Sequence, residues 1–238
     1  SYVAGFQIKK GEKMQINNSN YQISQPNFQA RYLSRSISTA AKNRAEAVID
    51  IYSLNKNDKN FIERVLNLLK GHNLPEDKLA ISGRDQKASV KEALNKALKY
   101  DGDSDDKVLI AIEDNKNIVG IADYSDYGDI CLNTLYMFKN SIQNIGRKSL
   151  LLQMLKHVKS HGDVSADIKA ERLNNEAKKY YSNLGFIKDK LSSIVELTIF
   201  SDDIANKINK IETGSSFNMK KTRFTQKEFD LAEIMKLD

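Results

Sequence analysis

The chain has 238 residues, 40% of them hydrophobic and 29% charged, with a formal net charge of +6. That length buries a core without covalent staples. A single cysteine, Cys131, excludes an internal disulfide framework and any cysteine-rich zinc module. No window approaches the ~18 consecutive apolar residues of a membrane helix, and no charged stretch followed by an apolar one opens the residues given. The expectation is a soluble globular body. Its charge is unevenly placed: within residues 1–45, seven lysines and arginines face Glu12 alone, which accounts for the whole excess. The remainder is balanced and carries no matching motif, so a nucleic-acid partner is not expected.

Residues 15–29 hold ten Ser, Asn or Gln in fifteen positions, the composition of a flexible arm. Abundant Asn and Lys with only two prolines is the composition of an AT-rich bacterial genome. From Ala45 the pattern sharpens. Residues 48–54 (VIDIYSL) are β-branched and alternate, which predicts a strand. Asn57 or Asp58 then caps a helix with Phe61, Val65, Leu68 and Leu69 on one face, stopped by Gly71. A second helix spans roughly residues 87–100, and the acidic run 101–106 is a loop. Residues 108–113, a DNKN turn, 118–124 and 130–138 read as an antiparallel meander. A helix over 147–159 turns Leu151, Met154, Leu155 and Val158 inward. Then come a strand at 163–168, a helix at 174–183 and a strand at 194–200. Residues 201–212 and a helix opened by Thr225-x-x-Glu228 close the chain. The order β-α-α-β-β-β-α-β-α-β is not doubly wound. It predicts an α/β (α+β) fold whose mixed sheet feeds a central helix, with ligand phosphates at that helix N-terminus.

Residues 174–186, NNEAKKYYSNLGF, place Asn174, Ala177, Tyr181, Gly185 and Phe186 at the spacing N-x-x-A-x-x-x-Y-x-x-x-G-F. This segment resembles one in the GNAT (GCN5-related N-acetyltransferase) superfamily. Upstream, Gln143-x-x-Gly146-x-Lys148 resembles that family's acyl-CoA loop, [QR]-x-x-G-x-[GA], with Lys148 departing from its small residue. The resemblance covers residues 46–200 and implies a mixed, mostly antiparallel sheet flanked by helices. It also implies acetyl transfer from acetyl-CoA to an amine acceptor, a protein lysine or a small molecule, by direct attack. The pyrophosphate would then meet the backbone N–H groups of the 143–149 turn: Gln143, Asn144, Ile145, Gly146, Arg147, Lys148 and Ser149. A glycine there permits close approach and the helix dipole favours an anion. Arg147 and Lys148, with Lys139, would add charge-assisted contacts. Amides near Leu135 and Met137 would hold the pantetheine and polarise the thioester.

The resemblance gives Tyr181 the role of protonating the departing thiolate, which a phenol with pKa near ~10 is able to do. The other reading of Tyr181 is a core tyrosine whose hydroxyl bonds a backbone carbonyl. Asn174 would touch the pantetheine arm, cap the helix, or both. Phe186 reads as a core anchor. The general base is open among Asp129, Asp123, Tyr124, Asp167 and a water, since Cys131 and Asn133 stand where relatives carry Glu or His. The pair His157 and His161 lacks the Glu and third ligand of a zinc site, so a solvated helix end is expected. No metal is expected at 101–106 either, where calcium spacing fails.

The expected organisation is a basic polar arm or leader at 1–45, an acyltransferase body at 46–200 and a helical extension at 201–238. The leader reads as a solubilising tail, a translocation leader, or an arm for an acidic partner. The first places the protein in the bacterial cytoplasm; the second sends it into a host cell, with a host protein as partner. A rival to the enzyme is a non-catalytic module on the same fold, binding CoA or a protein without turnover.

Overall fold

The computed structural model describes residues 30–38, 47–101, 104–113, 117–126, 129–138, 145–162, 165–188, 196–200, 203–204 and 206–207. The expected DNKN turn, the 225–228 capping box, Gln143 and Asn144 lie wholly or largely outside them. Eight strands form one sheet: β1 (Arg31–Ser38), β2 (Ala47–Leu54), β3 (Lys107–Glu113), β4 (Asn117–Asp126), β5 (Ile130–Met137), β6 (Ser165–Lys169), β7 (Ile187–Lys188) and β8 (Glu196–Phe200). Their spatial order is β1-β2-β3-β4-β5-β6-β8-β7. Every neighbouring pair is antiparallel except β5 and β6. Among the described residues, four helices of full length flank the sheet: α1 (Lys59–Gly71), α2 (Gln86–Ala97), α3 (Ile145–His161) and α4 (Asn175–Asn183). This is the mixed, mostly antiparallel α/β architecture that the resemblance implies. None of the described helices is long and apolar enough to cross a membrane.

Strand alternation divides the core in two. Ile49 and Ile51 of β2, Leu109 of β3 and Leu132 and Leu135 of β5 face α3, whose Leu151, Met154, Leu155 and Val158 meet them. Tyr52, Val108, Ile110, Ile121 and Tyr136 project from the opposite face onto Phe61, Ile62, Val65 and Leu69 of α1 and Val90 and Leu94 of α2. Truncating a fully buried leucine here, such as Leu94 or Leu135, removes about 2–5 kcal/mol.

Local differences from expectation have physical causes. Of the two caps expected, Asp58 stands at the N-cap of α1, without a side-chain bond into that helix; ahead of it, Asn55 Oδ1 accepts from Asn57 N–H at 2.9 Å, and Asp58 accepts from Asn55 N–H at 3.1 Å. Together they make a capping box over one 3₁₀ turn. The 1–45 arm is corrected at its end, because Arg31–Ser38 pairs along β2 from Ala47 to Ser53, at the edge of the described sheet. Serines and arginines masked that strand's pattern, yet Tyr32 meets Tyr52 edge-on at 5.5 Å and Leu33 packs on the α3-side core. Beyond β8, Ile204 is fully buried in that same core, so the body runs past residue 200.

Candidate active site

Among the described residues, β5 and β6 pair in parallel at Ile130↔Ala166 and Cys131↔Asp167. Beyond that they diverge, because β6 ends at Lys169 in a 3₁₀ turn over Ala170–Arg172 while β5 continues to Met137. The gap is therefore bounded by the free edge of β5 and that turn, and α3 and α4 supply the side chains that reach it. An open strand edge exposes unpaired N–H and C=O groups that need partners. Here the chain supplies them itself. Leu135 and Ile81 exchange both backbone bonds at 2.9 Å, and Arg172 C=O accepts from Ser82 and Gly83 N–H at 3.2 and 3.1 Å. The connection between α1 and α2 thus crosses the gap like a short extra strand. Gly83, with φ of 72°, makes the left-handed turn that releases it toward α2.

Asp77 anchors this segment. Its carboxylate accepts from Met137 N–H at 2.9 Å and takes Arg147 Nη2 on both oxygens, at 2.6 and 2.5 Å. Arg147 Nη1 donates to Leu79 C=O at 2.8 Å and to Tyr181 Oη at 3.3 Å. The Tyr181 hydroxyl in turn donates to Leu79 C=O at 3.0 Å. Asn174 Nδ2 donates to Lys78 C=O at 2.8 Å, and Gln86 braces Asp77 through two backbone bonds, at 3.0 and 2.8 Å. Tyr136 Oη donates to Pro75 C=O at 2.5 Å. Arg147 is 1% exposed and Tyr181 fully buried. Burial drives the Tyr181 phenol well above its ordinary pKa, so it stays a donor at any pH the fold withstands.

Several expected contacts are corrected by this geometry. Arg147 does not present its side chain to a phosphate, because its guanidinium turns inward to Asp77. The amides of Leu135 and Met137 do not face an empty groove, because Ile81 and Asp77 use them. Tyr181 takes the second of its two readings, a core tyrosine bonded to a backbone carbonyl. Asn174 caps α4, with Oδ1 accepting from Ala177 N–H at 2.8 Å. Ile145, Gly146 and Ser149 are buried in the first turn of α3, and Lys148 is half-buried. With residues 75–83 seated, the gap does not fit an acyl-CoA arm: the β5 groups it would use already have partners.

The base candidates separate. Tyr124 faces α3, its ring 5.4 Å from that of His157, which also corrects the solvated helix end expected for that histidine. Asp129 and Asp167 share Ser165 Oγ, at 3.1 and 3.3 Å, where β5 and β6 still pair. Asp123 lies opposite Thr134, one residue from Leu135, on the α1–α2 side. It is 1% exposed and accepts from Lys96 Nζ at 2.7 Å. Its Oδ1 is buried without a hydrogen-bond partner. Burial raises its carboxyl pKa against the pull of Lys96. Cys131 is a half-buried strand thiol, pushed up by burial and so poorly nucleophilic.

Next to the gap, a pocket of about 610 Å³ opens between α2 and the 3₁₀ turn, walled by Ser82, Arg84, Glu92, Glu171 and Arg172 among others. Glu92 lies 3.7 Å from Lys96, which links this wall to Asp123. Sequence reasoning did not single out Asp77, Ile81 or Lys96. The signal for the first two was the apolar run Leu79-Ala80-Ile81 after Pro75, too apolar for a surface connection between two helices.

Among solved structures, a GNAT-family acetyltransferase from Staphylococcus aureus Mu50 is similar at 20% identity, TM-score 0.44, over 64% of this chain and 99% of its own. A spermidine N-acetyltransferase variant from Vibrio cholerae is similar at 14% identity, TM-score 0.41, over 67% and 97%. No family model matches the chain, and no curated protein does.

Proposed function

We propose that the chain is an acyl-CoA-dependent N-acyltransferase acting on an amine. The observation that carries this reading is the splay of the parallel pair β5 and β6 beside the first turn of α3; the N–H groups of Leu135 and Met137 along it would serve an acyl-CoA only once residues 75–83 release them. The thioester supplies an activated acyl carbon; the chain's own part is to receive and deprotonate the amine. The pocket beside Ser82 offers Asp85, Glu92 and Glu171 to a protonated amine, against Arg84 and Arg172 on the same wall. Asp123, held above the usual carboxylate range and with one oxygen unpartnered, suits the base that takes its proton. Lys96 holds that carboxylate in place.

The test is acetyl transfer from acetyl-CoA to a panel of polyamines, lysine peptides and small primary amines. Turnover in the wild type, lost about 10²–10⁴-fold in Asp123→Asn, is expected for a general base. Turnover that survives that substitution would remove Asp123 from the mechanism. A second reading, the non-catalytic module, is favoured by one observation: the N–H groups of Leu135 and Met137 are already taken by residues 75–83. Acetyl-CoA binding without transfer to any amine would select it.

A further inference from the structure

We propose that residues 75–83 are an intramolecular competitor of acyl-CoA, occupying the splay between β5 and β6 until the cofactor displaces them. This rests on the acyl-CoA reading above. The segment reproduces two recognition features that an acyl-CoA would present. It brings an amide chain, through Ile81, against the strand edge at Leu135, and an anion, the Asp77 carboxylate, against the buried cation behind the α3 N-terminus. A ligand of that chemistry and this segment need the same donors: Leu135 N–H and Met137 N–H cannot serve both.

The segment is also built to be a separate piece. It is bounded by Pro75 and Gly83, which lie between the end of α1 and the start of α2, so it is able to move without unravelling either helix. When residues 75–83 leave, Arg147 keeps its bond to Tyr181 Oη, and its Nε, buried without a partner, is free to donate to what replaces them. A cofactor that must first displace a seated segment binds with an apparent affinity lowered by the fraction of open molecules.

The experiment is calorimetric titration of the full chain with acetyl-CoA up to millimolar concentration, combined with amide hydrogen exchange. Asp77→Asn, which keeps the shape and removes the anion, and Ile81→Pro, which removes the N–H paired to Leu135, are compared with wild type. Asp77→Asn should bind acetyl-CoA about ten- to a hundredfold more tightly, the range for a charged hydrogen bond lost from the competing state, and Ile81→Pro about two- to tenfold, the range for a neutral one. In the wild type, acetyl-CoA should raise Tm while the amides of Ile81, Ser82 and Gly83 lose protection. The exchange result decides the matter even if a variant fails to fold. Acetyl-CoA bound with those three amides still protected would overturn the competitor and leave the acyltransferase reading standing. No binding by the wild type or by either folded variant would overturn both.

Discussion

Two buried acid–base pairs lie on opposite faces of the same sheet and do different work. On the α3 side, Asp77 and Arg147 are both nearly inaccessible, and the guanidinium is shared among a carboxylate, a carbonyl and a phenol. On the α1–α2 side, Asp123 is equally buried, but its partner Lys96 is a quarter exposed and one carboxylate oxygen has no donor. A carboxylate with both oxygens bonded, as in Asp77, holds a segment in one place. A carboxylate with one unpartnered oxygen and a raised pKa, as in Asp123, keeps the capacity to take a proton. Burial alone separates neither case; the count of partners does.

The sharpest way to break this contrast is to remove each cation. Arg147→Ala leaves Asp77 buried without a countercharge, and should cost about 3–5 kcal/mol in denaturant titration. Lys96→Met should cost only about 1 kcal/mol, because the aliphatic chain keeps its packing and Asp123 escapes by protonating. Equal losses would erase the distinction between the pairs. Tyr181→Phe removes the hydroxyl bond to Leu79 C=O and should cost about 1 kcal/mol. Its main effect should be faster exchange at Ile81. The pH dependence refines the Asp123 side. Its folded pKa is raised, so the native state holds the proton more tightly than the unfolded chain. The stability it contributes is complete below the unfolded value near ~4 and lost as pH rises through the folded one. Asp123→Asn should flatten that decline in melts run upward from below the unfolded value. The smallest effect is expected from Lys148→Ala, within about 0.5 kcal/mol, since its half-buried side chain is outside both networks.

The sheet was legible where side chains alternate or repeat. The runs 48–54, 108–113 and 130–138 became β2, β3 and β5 to within a residue or two, and the spacing of Leu151, Met154, Leu155 and Val158 placed α3. β1 was not legible, because Arg31-Tyr32-Leu33-Ser34 alternates polar and apolar residues too weakly at an edge with a bulge. The motif positions of the site were legible as positions. Asn174, Arg147 and Tyr181 do converge on one gap. Their partners were not, because the Tyr181–Leu79 and Arg147–Asp77 contacts depend on where the α1–α2 connection goes. Nothing local in Glu76-Asp77-Lys78 distinguishes a carboxylate bound for the interior from two exposed charges.

The bonds that seat residues 75–83 also set an order of events. Met137 to Asp77 joins residues 60 apart in sequence, Arg147 to Asp77 joins residues 70 apart, and Tyr181 to Leu79 spans 102. Closing loops of that length earns nothing until the far strand and both later helices exist. The segment is thus expected to dock last during folding. An early-assembled sheet would carry its splay open until residues 75–83 arrive.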